Sequence, residues 1–276
     1  AIPAVCDYIY DSIANILNTT NIEYIKWDYN RVIAHVGSEY LKAEQFGEYF
    51  HRYTLGLYSV LERLNKDFPH VLFEGCAAGG ARFDIGMLYY MPQIWTSDDT
   101  DAVERTAIQH GTSYIYPMCS QSAHVSVCPN HQTKRSVTLE ARHIFALTGS
   151  FGYELAPQRI PEEERGYIKD FIKFYIENYD VFYNGKYYRL SNPATDDYAV
   201  FEYVYENKIV VGCMRLKTHA VNLSSRIKLK GLEPDRLYTD TKSGKQYYGS
   251  QLMEMGLLIE GSICVPDYET FMIMFE

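Results

Sequence analysis

The chain has 276 residues, 47% of them hydrophobic and 22% charged, a composition that supports a large buried core in one big domain or two smaller ones. No apolar run approaches the roughly 20 residues of a membrane span. The net charge of −9 argues against a nucleic-acid backbone as partner, because counterion release needs clustered Lys and Arg. A neutral ligand fits this balance better, and the 26 tyrosines offer aromatic faces of the kind that suit sugar rings.

The six cysteines, Cys6, Cys76, Cys119, Cys128, Cys213 and Cys264, are scattered through a long chain, unlike a disulfide framework. Their distribution points to a reducing, cytoplasmic setting. The chain opens Ala1-Ile2-Pro3 without an initiator Met, which suits a processed product or a fragment.

In chain order, Tyr10, Ile13, Ala14 and Leu17 recur at helical spacing and predict a helix over 7–17. Ile22, Tyr24, Ile25 and Trp27 form a short β-rich run that predicts a buried strand, ending in the charged cluster of Lys26, Asp28 and Arg31. Phe46, Tyr49, Phe50, Tyr53, Leu57, Val60, Leu61 and Leu64 then make an apolar stripe with a period near 3.6, the mark of a packed amphipathic helix. A second strand is predicted over 70–74, followed by a glycine-rich turn over 75–80, and a third over 93–97, ending at Asp98. Asp101 with Glu104 three residues on has the pattern of a capping box, which starts a helix running to about Gln109. Residues 113–117 are expected to form a fourth strand, with a loop rich in His, Cys, Ser and Pro after it. A helix over 139–147, a fifth strand over 150–154 and a helix from Pro161 to about Tyr179 complete this part.

From about residue 184 the pattern changes to short strands separated by Gly, Asn and Pro turns, over 198–205, 208–215, 226–229 and 268–275. The sequence thus divides into an α/β part, 1–182, and a small antiparallel β domain, 183–276. Alternating strands and helices imply parallel strands in right-handed crossovers, either an open doubly wound sheet or a (β/α)8-type barrel. Polar or acidic residues at successive strand ends, Asp28, Cys76 and Asp98, favour the barrel, whose catalytic groups come from several strand ends. A barrel needs eight strands and about 250 residues. Only strands four to eight are therefore expected here, with the first three upstream of Ala1.

Two carboxylates at the carboxyl ends of different parallel strands can converge on one pocket. One can attack or stabilise an anomeric carbon while the other protonates the leaving oxygen, the arrangement that glycoside hydrolysis uses. Lys26 lies on the same strand face as Asp28, where a cation holds the carboxylate ionised and can donate to a sugar hydroxyl. Asp98 competes with Asp99 and Asp101 for the role of proton donor. Asp101 has a capping explanation, and Asp98 stands nearest the strand end.

Tyr24-Ile25-Lys26-Trp27-Asp28-Tyr29-Asn30-Arg31, Glu74-Gly75-Cys76-Ala77-Ala78-Gly79-Gly80-Ala81-Arg82-Phe83-Asp84 and Trp95-Thr96-Ser97-Asp98-Asp99-Thr100-Asp101 resemble signatures of the family 36 glycoside hydrolases, the bacterial α-galactosidases. His124-Val125-Ser126 and Gly149-Ser150-Phe151-Gly152-Tyr153-Glu154-Leu155 resemble later barrel motifs of that family. The resemblance implies that Asp28 is the nucleophile and Asp98 the general acid/base of a retaining, double-displacement mechanism. It also implies that Lys26, Asn30, Cys76, Gly79 and Trp95 bind the substrate. Its substrates would be α-galactosides such as melibiose and raffinose, with no cofactor and with a homo-oligomeric full-length parent. The family pattern has Asn at Gly75, Ser and Gly at Ala77 and Ala78, and Met at Tyr29, differences that bear on the contacts around the sugar 2-hydroxyl. Rival expectations keep the site: a galactosyltransferase resembling raffinose synthases, or an α-N-acetylgalactosaminidase. A rival of another class is a silent fragment or a carbohydrate-binding remnant.

Plainer readings stand beside these. Cys119, His124, Cys128 and His131 lie close in sequence, but their spacing does not match paired structural zinc ligands, so no metal is expected. The turn over 75–80 lacks both the Lys-Ser/Thr ending of a phosphate loop and the spacing of a dinucleotide fingerprint. Cys76 reads as a wall residue, Trp27 as core, and His110 and His143 as structural.

Overall fold

The computed structural model describes residues 2–30, 34, 36–219, 225–259 and 266–276, so Cys264 and the Arg31 of the first motif lie outside the described residues. The chain divides into two compact units, Ala1–Asp98 and Asp99–Glu276.

In the first unit, helix α1 (Pro3–Thr19) starts on a proline, whose fixed φ suits the first helical turn. It precedes β1 (Tyr24–Asp28), α2 (Tyr49–Asp67), β2 (Leu72–Cys76), α3 (Ile85–Tyr90) and β3 (Gln93–Trp95). The three strands are parallel and ordered β1-β2-β3, with Tyr24 opposite Leu72, Lys26 opposite Glu74, Asp28 opposite Cys76, and Glu74 opposite Gln93. Their core joins Ala14 and Leu17 of α1 to Val60, Leu61 and Leu64 of α2, with Phe73, Met87, Met91 and Ile94. Helix α1 is also tied to α2 at its edge: Arg63 pairs with Asp7 at 2.7 Å, and the Tyr10 hydroxyl donates to Asp67 at 2.6 Å. The short α3 has no counterpart among the predicted elements. Six residues are too few for a periodic stripe, and its start is set by Asp84, whose side chain accepts from the Met87 N–H at 2.9 Å.

The second unit opens with α4 (Ala102–Thr112), β4 (Gln121–Ser126), α5 (Leu139–Ala146), β5 (Ser150–Glu154), α6 (Glu162–Glu177) and α7 (Tyr179–Asn184), and β4 pairs with β5 in parallel. The strand expected over 113–117 does not form. After α4 the chain keeps turning: the N–H groups of Ile115 and Tyr116 both donate to Thr112 O, at 3.2 and 3.1 Å. Tyr114 and Ile115 are 63% and 73% exposed, so their β-forming side chains face outward. The strand falls instead on the polar run that starts at Gln121, most of whose residues are buried. Ser126 Oγ donates to Thr100 O at 2.8 Å.

An antiparallel sheet follows, ordered β13-β8-β7-β6 from Lys186–Arg189 (β6), Tyr198–Tyr205 (β7), Lys208–Arg215 (β8) and Thr270–Phe275 (β13). Smaller pairs join Ser225–Ile227 (β9) to Leu257–Ile259 (β12) and Leu237–Thr239 (β10) to Gln246–Tyr248 (β11). The strand expected over 226–229 thus starts one residue earlier and is shorter. One face of β7 and β8 packs against Ile144, Phe145, Phe171 and Phe182, while the other covers Leu229, Leu232, Tyr238 and Leu252.

Glu202 sits in the middle of β7 with no exposed surface. One carboxylate oxygen accepts the Lys230 N–H at 2.9 Å, and the other has no partner among the described residues. Burial pushes its pKa up to about 8, against the smaller downward pull of the Lys230 N–H and ammonium. The native state therefore holds a proton that the unfolded chain has released, and stability falls as pH rises from the ordinary Glu range to about 8. Glu202→Gln is expected to flatten that slope and to raise the thermal midpoint at pH 8 but not at pH 4. Parallel melting curves of the two proteins across this range check it, and an unchanged slope would show that Glu202 is not the group responsible.

Candidate functional site

All seven residues singled out in the sequence fall in the first unit, at or just beyond the carboxyl ends of β1, β2 and β3. Because side chains alternate along a strand, the register places Tyr24, Lys26 and Asp28 on one face with Glu74 and Cys76 of β2 and Gln93 and Trp95 of β3. The other face carries Phe73 into the core, with Ile25 and Trp27 partly buried against it, so Trp27 is a packing residue.

Asp28 ends β1 and is exposed. Asn30 Nδ2 donates to its Oδ2 at 3.1 Å, and Asn30 Oδ1 accepts the Ala78 N–H at 2.5 Å. Asn30 therefore ties the Asp28 carboxylate to the turn after β2. The Tyr29 N–H continues the ladder to Cys76 O at 3.1 Å.

Lys26 Nζ lies 4.2 Å from the centre of the Trp95 ring and 3.8 Å from Glu74 Oε1. Trp95 is only 3% exposed, so it is core and also the platform beneath a cation. Cys76 is buried, and its thiol pKa is pushed up to about 11, first by burial. The Asp28 charge adds to the shift, while the Gly79 backbone and Lys26 oppose it. A protonated sulfur beside Asp28 is a wall and a weak donor, and no nucleophile.

Gly79 has a φ of +72°, and a Cβ there would lie 2.7 Å from Ser97 Cα and 2.8 Å from Asp98 N. At Gly80 a Cβ would run into Thr96 O. The glycines are needed because this turn lies directly against the backbone that delivers Asp98. Asp98 itself is exposed, whereas its two rivals are occupied. Asp99 Oδ1 accepts the Asp101 N–H at 2.9 Å. Asp101 is buried, caps α4 through the Val103 N–H at 2.8 Å and pairs with Arg135 at 2.8 Å.

Sequence reasoning gave no role to Glu74 and Gln93. Glu74 is 1% exposed, accepts from the Tyr24 hydroxyl, and meets Gln93 Nε2 at 3.4 Å as well as Lys26. The strand expected over 70–74 runs instead over Leu72–Cys76, which puts Glu74 on the same face as Cys76. Cys119, His124, Cys128 and His131 do not converge: Cys128 Sγ donates to Val137 O at 3.5 Å, and His131 is exposed. Among the described residues no group of three or more His, Cys, Asp or Glu side chains could hold a metal ion.

Parallel strands that carry an exposed carboxylate, a lysine and an aromatic ring on one face, with a second exposed carboxylate just beyond a strand end, have the arrangement that β/α-barrel glycoside hydrolases use. Residues 1–185 match the melibiase family model, and residues 198–275 match the glycosyl hydrolase family 36 C-terminal domain. The chain belongs to the family 36 glycoside hydrolases. It is 41% identical, over 98% of its length and 28% of the relative's, to the bifunctional α-galactosidase/sucrose kinase AgaSK of Mediterraneibacter gnavus. It is 42% identical, over 92% of its length and 35% of the relative's, to the α-galactosidase AgaA of Geobacillus stearothermophilus. The crystal structure of AgaA superposes with a TM-score of 0.95 at 40% identity, covering 99% of this chain and 38% of that one. A variant of AgaA solved in complex with raffinose gives the same TM-score and identity over the same shares. The chain thus spans about a third of the length of these relatives, as part of a (β/α)8-type barrel followed by a small antiparallel β domain. Among the described residues no helix is long and apolar enough to cross a membrane.

Proposed function

We propose that this chain carries the catalytic carboxylates of a retaining α-galactosidase acting on terminal α-galactosyl residues of raffinose-type oligosaccharides. The observation that carries the reading is the exposed Asp28 at the end of β1, held by Asn30 beside Cys76, with Lys26 and Trp95 on the same sheet face. In the first step Asp28 attacks the anomeric carbon, and Asp98 gives its proton to the departing glycosidic oxygen. In the second, Asp98 takes a proton from water, whose oxygen attacks the same carbon and releases Asp28 and galactose of unchanged configuration. Retention calls for carboxyl groups roughly 5–5.5 Å apart. Lys26 donates to a sugar hydroxyl over the Trp95 ring, and Asn30, Cys76 and Gly79 complete the subsite wall.

The same reading divides the chain at 182/183 into barrel and β domain, in keeping with the change of strand pattern near residue 184. The five described cysteines are free, which suits a cytoplasmic protein, and the family resemblance supports a homo-oligomer of the full-length protein. The test is hydrolysis of p-nitrophenyl α-galactoside and raffinose by the full-length protein, with the configuration of the first-formed galactose followed by proton NMR. The expected product is α-galactose. First-formed β-galactose would reject retention, and failure to cleave either substrate would reject the activity.

A further inference from the structure

We infer that Glu74 is a positioning residue of the sugar subsite, fixing the Lys26 ammonium over Trp95 and holding it away from Asp28. The inference rests on the proposed function, because Lys26 matters to catalysis only where a sugar hydroxyl needs a donor. Glu74 belongs to the middle of three strands, opposite Lys26 on one side and Gln93 on the other. At 1% exposure its carboxylate is tolerable only with partners. Oε2 takes the Tyr24 hydroxyl and the Gln93 amide, both neutral donors, while Oε1 lies 3.8 Å from Lys26 Nζ.

The lysine side chain is 36% exposed, and a four-carbon stem at such a site has many rotamers to lose. Two contacts restrict it, the Trp95 ring at 4.2 Å and the Glu74 carboxylate. Asp28 is exposed two residues along the same strand face. Without Glu74, the carboxylate that best attracts Lys26 is the one proposed to attack the substrate. A lysine swung onto Asp28 would leave the sugar hydroxyl without a donor and obstruct the nucleophile. Glu74 thus works through Lys26 and touches no substrate.

The experiment is a double-mutant cycle in the full-length protein, combining Glu74→Gln with Lys26→Met and measuring kcat and KM on p-nitrophenyl α-galactoside, the Ki of galactose and the thermal midpoint. Glu74→Gln keeps the size and hydrogen-bonding capacity of the side chain but removes its charge. It is expected to raise KM and the galactose Ki roughly tenfold, the scale of one charge-assisted hydrogen bond, with a smaller change in kcat. In the Lys26→Met background the same change is expected to cost less than about twofold. An equal cost in both backgrounds, or an unchanged KM in Glu74→Gln, would make Glu74 a structural residue only and overturn the inference. If Glu74→Gln does not fold, Glu74→Asp takes its place in the cycle, keeping the charge but shortening its reach, with the same coupling expected. A wild-type protein without turnover would overturn the underlying reading together with this one, whereas turnover with additive costs overturns this one alone.

Discussion

Asp28→Asn is expected to lower kcat on p-nitrophenyl α-galactoside by roughly 10⁴-fold or more, the scale of losing a residue that forms the covalent intermediate. The amide is nearly isosteric with the carboxylate, and its oxygen can still accept the Asn30 Nδ2–H that Asp28 accepts at 3.1 Å. Because the site is exposed at a strand end, the thermal midpoint should stay close to that of the wild type. Kinetics and melting curves on the same preparation separate lost chemistry from lost structure. Activity within tenfold of wild type would remove Asp28 from the mechanism and return it to the role of a strand-end polar residue.

Asp98→Ala should behave differently, and the difference identifies a general acid/base. p-Nitrophenol leaves readily without protonation, whereas the sucrose released from raffinose does not. Turnover of raffinose is therefore expected to fall by roughly 10²- to 10⁴-fold, with a smaller loss in the first step on the aryl galactoside. Water attack on the glycosyl-enzyme then lacks its base, so the aryl substrate should show a burst followed by slow turnover. Added azide, which needs no deprotonation, should restore the second step and yield α-galactosyl azide. Equal losses on both substrates without azide rescue would assign the acid to another residue. Asp99 and Asp101 are poorer candidates on structural grounds, since one binds the Asp101 backbone and the other is buried as the cap of α4 and the partner of Arg135.

The face of the sheet that carries the candidate site was legible in the sequence wherever the information was local. The run through Ile22, Tyr24, Ile25 and Trp27 predicts a buried strand; the strand forms, with Lys26 and Asp28 on one face as expected, but its residues alternate between exposed and half-buried. The stripe of α2 was legible in its second part, where Val60, Leu61 and Leu64 reach the core, but Phe46 lies in a 3-10 turn before the helix, and Phe46 and Phe50 are exposed. Legibility failed where tertiary contacts decide. Tyr114 and Ile115 have the β-branched and aromatic character of a strand, yet they stand exposed on turns, with Tyr114 beneath the Arg189 guanidinium at 4.3 Å. Gln121 and Ser122 look like loop residues and are wholly buried in β4. Glu74 shows a third kind of limit. Its parity was readable, but its partnership with Lys26 depends on which residue of β1 lies opposite, and register between strands some 50 residues apart is not written in either strand alone.

Cys76 brings sulfur's shape to the site without sulfur's reactivity. Burial pushes its pKa up to about 11, so the sulfur stays a thiol at neutral pH, and the same burial shields it from reagents. Alkylation and oxidation both proceed through an accessible thiolate, so Cys76 is a poor target for either. The neighbouring carboxylate contributes to that protection, since the charge proposed to attack a sugar also discourages a second anion from forming beside it. The subsite wall proposed for Cys76 would therefore keep a polarisable atom through changes in redox conditions, independent of the thiol balance of its surroundings.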